Sequence, residues 1–170
     1  MIVNTHCLGV YEIENFLTED EVEGLLLSVD SNEFTEFHPG NIVKDLVPES
    51  SKLIPTIVNR LMSCFSDAHS NTRITNIRRL KDGEFMSAHK DGGHPDSKET
   101  IVFGVALYLN DDFTGGEINY PDLNISIKPK RSSVVIHDAK LLHEVLPVKS
   151  GSRYSITTFI FGDETTKINS

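Results

Sequence analysis

The sequence predicts an α+β fold that is mainly β: a double-sheeted β core supported by helices from the N-terminal part of the chain. In two early stretches, residues 18–30 and 48–68, apolar residues recur every three to four positions, the period of a helix with one buried face. From Arg73 onward the period changes to two, and β-rich runs follow one another with turn signals and no helical stretch between them. Helices followed by strands, without alternation, point away from a parallel α/β sheet. At 170 residues the chain has the length of one domain able to bury most of a single core.

Taken in order, Val3, Leu8, Val10, Tyr11 and Ile13 suit one or two strands near a sheet edge. Thr18-Glu19-Asp20-Glu21 is a capping box, with a Thr N-cap, a Glu three residues on and acidic side chains in the first turn, so a helix over 18–30 follows. Residues 31–47 carry Pro39-Gly40 and no clean period, as in loops or short strands. Leu53, Ile57, Leu61, Met62 and Phe65 predict a second helix over 48–68, starting late or kinked at Pro55. Strands are then expected at 73–81, 84–90, 100–109, 116–120, 123–128, 132–137, 142–148 and 152–161, with turns at Gly92-Gly93, Asn110-Asp111-Asp112, Gly115-Gly116, Pro121-Asp122 and Ser150-Gly151. The division expected is an N-terminal support region (1–72), a catalytic core (73–162) and a polar, fraying tail (163–170) within one domain.

The formal charge of −9 argues against a protein that grips phosphate backbones. With no basic-then-apolar start and no apolar run of membrane-spanning length, a soluble, cytoplasmic chain without membrane association is expected. Cys7 and Cys64 are far apart and make no ligand pair; both are expected to be inert thiols.

Chemistry gathers at three residues. His89 and Asp91 lie two apart on a predicted strand, which puts an imidazole and a carboxylate on one face. His143, on a distant strand, completes a possible facial triad, and two histidines with one carboxylate leave half of an octahedral ion's positions open. His94-Pro95-Asp96 repeats the His-x-Asp pattern, but its proline and polar setting suit a loop. His137-Asp138 ends the run Val134-Val135-Ile136 and is expected to be a turn or a hydrogen-bonding partner of the ligands. A structural zinc or nickel site in a non-catalytic sandwich would want a fourth ligand, and none is evident near these three.

Further pieces accompany the triad in a fixed order. Gly83 stands six residues before His89; Leu107-Tyr108-Leu109-Asn110, Gly115-Gly116-Glu117, Pro129-Lys130, Leu142-His143, Pro147-Val148 and Gly151-Ser152-Arg153 follow. In this order they resemble the iron(II)- and 2-oxoglutarate-dependent oxygenases, in the branch like prolyl 4-hydroxylase, over about residues 78–161. The resemblance implies a double-stranded β-helix (jelly-roll) core that binds iron(II) through His89, Asp91 and His143. It implies 2-oxoglutarate and dioxygen as co-substrates, ascorbate as a supporting reductant, and hydroxylation of a C–H bond. Arg153, ten positions past His143, would receive the distal carboxylate of 2-oxoglutarate, and Ser155 on the same strand face would add a hydroxyl.

The family's Tyr nine residues before the first His is Leu80 here, so Tyr108 is the candidate phenol; Ile118 and Ser132 replace a usual Thr and turn Gly. Relatives acting on nucleic acid carry an Arg six residues after the position of Arg153, and here that is Phe159. The branch suggests a prolyl residue of a peptide or protein as substrate, with a free amino acid or other small molecule as the alternative.

Overall fold

The computed structural model describes residues 3–30, 34–38, 41–69, 72–92 and 100–169. In chain order these form β1 (Asn4–Cys7), β2 (Val10–Ile13), α1 (Glu19–Asp30), β3 (Thr35–His38), β4 (Asn41–Asp45), α2 (Pro48–Ser51), α3 (Ile54–Met62) and β5 (Phe65–Ser66). The β-rich part continues with β6 (Asn76–Lys81), β7 (Met86–His89), β8 (Thr100–Tyr108), β9 (Thr114–Gly115), β10 (Ile118–Tyr120), β11 (Ile125–Ile127) and β12 (Val134–Asp138). It ends in β13 (His143–Val145), β14 (Val148–Ser150), β15 (Ser152–Gly162) and β16 (Lys167–Ile168).

An eight-stranded sheet in the order β1-β2-β12-β8-β15-β6-β4-β3 faces a four-stranded sheet in the order β11-β10-β13-β7. This is the double-sheeted jelly roll expected, and strand alternation sorts its side chains. Val105 and Leu107 on β8, with Leu109 just past its end, join Ile136, Ile156 and Ile160 under the helices, where Val22, Leu25, Ile57 and Leu61 meet them. The alternate residues Ala106 and Tyr108 turn to the space between the sheets, with Val135, Ile118 and Tyr120. The functional side chains are delivered into that inner space.

The capping box forms as read: Thr18 N–H donates to Glu21 Oε2 at 2.9 Å and Glu21 N–H to Thr18 Oγ1 at 3.2 Å. The second helix starts late at Ile54, as Pro55 led one to expect, but is shorter than expected. The stretch breaks into α2 and α3, with Pro55 in the first turn of α3, where its missing N–H costs nothing, and the helix stops at Met62 instead of running to residue 68. Past that point Phe65–Ser66 pairs with Lys167–Ile168, and Asn169 N–H donates to Cys64 O at 2.7 Å. The tail is thus tied down where fraying was expected. Ser132 takes a left-handed φ of 63°, which explains why a glycine suits that turn. No helix among the described residues is long and apolar enough to cross a membrane.

Glu21 also receives both guanidinium nitrogens of Arg60, at 2.7 and 2.8 Å, and this hydrogen-bonded pair holds its carboxyl below the ordinary value of 4.5. A depressed carboxylate contributes stability above its unfolded-state value and loses it as pH falls through the folded one. Glu21→Gln is therefore expected to cost about 1–2 kcal/mol at pH 7. In urea titrations the gap to the parent should shrink progressively below about pH 4.5, as the parent's own carboxyl protonates.

Candidate active site

The ladder between β13 and β7 sets His143 directly opposite His89, and the two rings lie 4.4 Å apart, centroid to centroid. Asp91, just past the end of β7, turns its Oδ1 toward both: 3.8 Å from His89 Nε2 and 3.8 Å from His143 Nε2. One ligand atom from each of the three lies within 4.8 Å of the others. These distances are too long for direct hydrogen bonds and are compatible with donors that converge on an ion.

The rings are aimed from behind. His89 Nδ1–H donates to Ser87 O at 2.8 Å and His143 Nδ1–H to Leu141 O at 3.0 Å, which leaves both Nε2 lone pairs directed at Asp91 Oδ1. Burial and the neighbouring His137 push His143 down to about 4, so its ring is neutral and able to ligate at neutral pH. For Asp91, burial alone would raise the carboxyl, but the His137 hydrogen bond and the surrounding imidazoles outweigh it and hold it ionised. Two imidazole donors and one carboxylate fit a ferrous ion.

Of the two roles expected for His137, the structure shows the hydrogen-bonding partner of a ligand and not a turn. The residue lies on β12, 3% exposed, with Nε2 at 3.0 Å from Asp91 Oδ2 and Nδ1 at 3.1 Å from the Tyr120 hydroxyl. A neutral ring meets both contacts when Tyr120 O–H donates to Nδ1 and Nε2–H donates to Asp91. Asp91 then spends one oxygen on His137 and keeps the other for the triad. Opposite His137 in the ladder is Gly104, where a Cβ would fall on Asp91 Oδ2 and His137 Nε2. The sequence signal was a lone glycine within Ile101-Val102-Phe103-Gly104-Val105, a sign of close approach. His94 and Asp96 lie outside the described residues.

Arg153 enters the same space from β15 and is 2% exposed. Its Nε–H donates to Gly116 O at 3.1 Å and an Nη1–H to Ser155 Oγ at 2.9 Å. The guanidinium lies over the Tyr108 ring, 5.0 Å from its centroid, and the buried Tyr108 hydroxyl makes no hydrogen bond of good geometry among the described residues. Leu80 faces Arg153 across the ladder and packs with Val145 and Val148, which is why no phenol is offered from that position. Together with Arg78, Met86, Ala106, Ile118, Val145, Thr157 and Phe159, the triad, His137 and Arg153 line one cavity of about 70 Å³.

Residues 74–161 match the sequence profile described as 2OG-Fe(II) oxygenase superfamily. The chain belongs to that superfamily. It is a 2-oxoglutarate-dependent non-haem iron dioxygenase, with iron(II), 2-oxoglutarate and dioxygen as its cofactor and co-substrates. No curated protein matches the sequence. Among solved structures, the viral collagen prolyl hydroxylase of Paramecium Bursaria Chlorella virus-1, as its 2OG complex, is similar at 22% identity and a TM-score of 0.66, over 94% of this chain and all of that one. A Pseudomonas putida prolyl-4-hydroxylase gives 19% and 0.66, over 91% and 93% of the two chains. The prolyl hydroxylase of Trichoplax adhaerens, in complex with a hypoxia inducible factor peptide fragment, gives 21% and 0.68, over 91% and 84%. The fold is thus that of the prolyl 4-hydroxylase-like branch of the dioxygenases.

Proposed function

We propose that this dioxygenase hydroxylates a C–H bond of a prolyl residue in a peptide or protein, with His89, Asp91 and His143 holding the iron. The convergence of those three donor atoms beside a buried arginine is the observation that carries the assignment. The peptide substrate draws its support from similarity to prolyl hydroxylases, one of them bound to a peptide. When bound, iron(II) with 2-oxoglutarate and dioxygen supplies oxidative decarboxylation to succinate and carbon dioxide and delivers the second oxygen atom to the C–H bond.

The chain's residues prepare that chemistry. Arg153 would receive the distal carboxylate of 2-oxoglutarate, since a guanidinium fork matches a carboxylate and little water enters to screen it. Ser155 already accepts a hydrogen bond from Arg153 and so steadies it, while the unsatisfied Tyr108 hydroxyl is available to donate to the same carboxylate. Ala106, Ile118 and Val145 form apolar walls, which limits competing water. His137 fixes which Asp91 oxygen faces the metal position. His137→Phe is therefore expected to weaken iron(II) binding about 10- to 100-fold with the fold retained, as read by anaerobic metal titration.

The deciding experiment is an anaerobic titration with iron(II) and 2-oxoglutarate, watching for the visible charge-transfer band of the chelate. Succinate formation stimulated by prolyl peptides should follow on admitting oxygen. Stimulation by a free amino acid but by no peptide would overturn the peptide assignment and leave the dioxygenase intact.

A further inference from the structure

One charged group in the cavity is left over from the chemistry above. Arg78, on β6, faces Ser155 across the ladder and therefore shares the inner face with Arg153 and Ser155. Among the described residues its Nη1 donates to the thioether of Met86, at 2.7 Å, a weak acceptor, and its buried Nε has no hydrogen-bond partner. Burial, with Arg153 nearby, pulls Arg78 down to about 10, still protonated at neutral pH. Asp91 attracts it from across the cavity, but no carboxylate is hydrogen-bonded to it among the described residues; a guanidinium held this way is costly to bury, and an anion that arrives with a ligand recovers the cost.

A count of charges says what that ligand must be. Among the lining residues two guanidiniums face one carboxylate, and an imidazole that ligates a metal adds no charge. Iron(II) and the 2-oxoglutarate dianion cancel each other, so the loaded cavity keeps one positive charge. Its place is the open side: Met86 lies on β7, the edge strand of the smaller sheet, and His89 on that strand is the most exposed of the triad, at 37% against 8% for Asp91 and 7% for His143. The co-substrate's far end is met by Arg153, deeper in.

We infer that Arg78 is a second anion site, which takes a carboxylate side chain of the substrate close to the carbon that is hydroxylated. The substrate class narrows from any prolyl peptide to one with an acidic residue beside the reacting position. The inference builds on the placement of iron and 2-oxoglutarate proposed above. The overall charge of −9 opposes such a substrate at a distance, so recognition rests on this contact.

The test uses the anaerobic iron(II)·2-oxoglutarate enzyme and calorimetry with blocked tripeptides in which proline is preceded or followed by Glu or by Gln. Matched peptides carry alanine in place of proline. At least one Glu peptide should bind about 10- to 100-fold more tightly than its Gln twin. Arg78→Met should bring that ratio close to one, and Arg78→Lys, which keeps the charge and checks the fold, should retain part of it. Equal binding of the twins by the parent, or a ratio unchanged in Arg78→Met, overturns the inference. A Glu preference seen equally in the alanine peptides, without hydroxylation of any proline, supports Arg78 as the anion site and rejects proline as the target. 2-Oxoglutarate affinity, read from the charge-transfer band, should stay within about twofold of the parent in Arg78→Met; a loss as large as that of Arg153→Ala assigns the guanidinium to the co-substrate and overturns the inference. Failure of the parent to form the band sinks the placement of iron and 2-oxoglutarate itself, and this inference with it.

Discussion

Asp91→Ala is expected to abolish turnover because the protein no longer holds iron. Removing the carboxylate leaves two neutral imidazoles, and a divalent ion loses the one anionic donor that the triad offers. Iron(II) binding should weaken by more than about 100-fold, beyond the loss for a residue that merely supports a ligand. The charge-transfer band with 2-oxoglutarate should vanish, together with succinate formation. The substitution also strips His137 Nε2–H of its acceptor inside a buried site, so some loss of stability accompanies it, about 1–3 kcal/mol. Asp91→Asn separates the two effects, since its amide oxygen can still accept from His137 while the charge is gone. Iron affinity should fall nearly as far in Asn as in Ala, with most of the stability kept. Parental iron affinity in either variant would show that the ion, if bound, is held elsewhere.

What could be read in advance was what local pattern controls. Period-two runs located β6, β7, β8, β10, β11, β12, β13 and β15 but not the short β9 and β14; the capping box located α1, and the two-residue spacing of His89 and Asp91 placed them side by side. That His143 joins them came instead from the order of motifs along the chain, and its pairing opposite His89 between β13 and β7 is known only from the structure. Harder to read were features that exist only across the sheets. His137 was open to reading as a partner of the ligands, but nothing local links Tyr120 to it or says that Asp91 is the ligand it meets; the two residues of that contact are 46 apart in sequence. Gly104 carried a signal without an address: a glycine in an apolar strand tells of close approach, not of what approaches. Arg78 was visible only as part of a basic cluster with Arg79 and Lys81, because strand parity does not say which face looks inward until the neighbouring strands are placed. The overlong second helix was an error of the same kind: the helical period persists through Phe65, but pairing with Lys167–Ile168 claims that backbone for a sheet.

Arg153→Ala should leave iron binding intact and raise the dissociation constant for 2-oxoglutarate about 30- to 1,000-fold, the effect of truncating one partner of a buried, hydrogen-bonded charge pair. Arg153→Lys should fall between, since an ammonium restores the charge but not the two parallel donors. The same position makes an opposite demand on stability. Before 2-oxoglutarate binds, Arg153 is 2% exposed, lies over an aromatic ring and donates to two neutral oxygens, with no carboxylate paired to it among the described residues. Burial lowers its proton affinity, the mark of a charge held in an unfavourable setting. Replacing such a charge by an apolar side chain of similar length is often neutral or stabilising. Arg153→Met is therefore expected to match or exceed the parent's melting temperature without 2-oxoglutarate. The parent's melting temperature should rise when 2-oxoglutarate and iron(II) are added under nitrogen, and the variant should gain no more than iron alone confers. A variant that lost stability without ligand would mean that Arg153 holds the sheets together, and its placement as the co-substrate's anchor would then lack its physical basis.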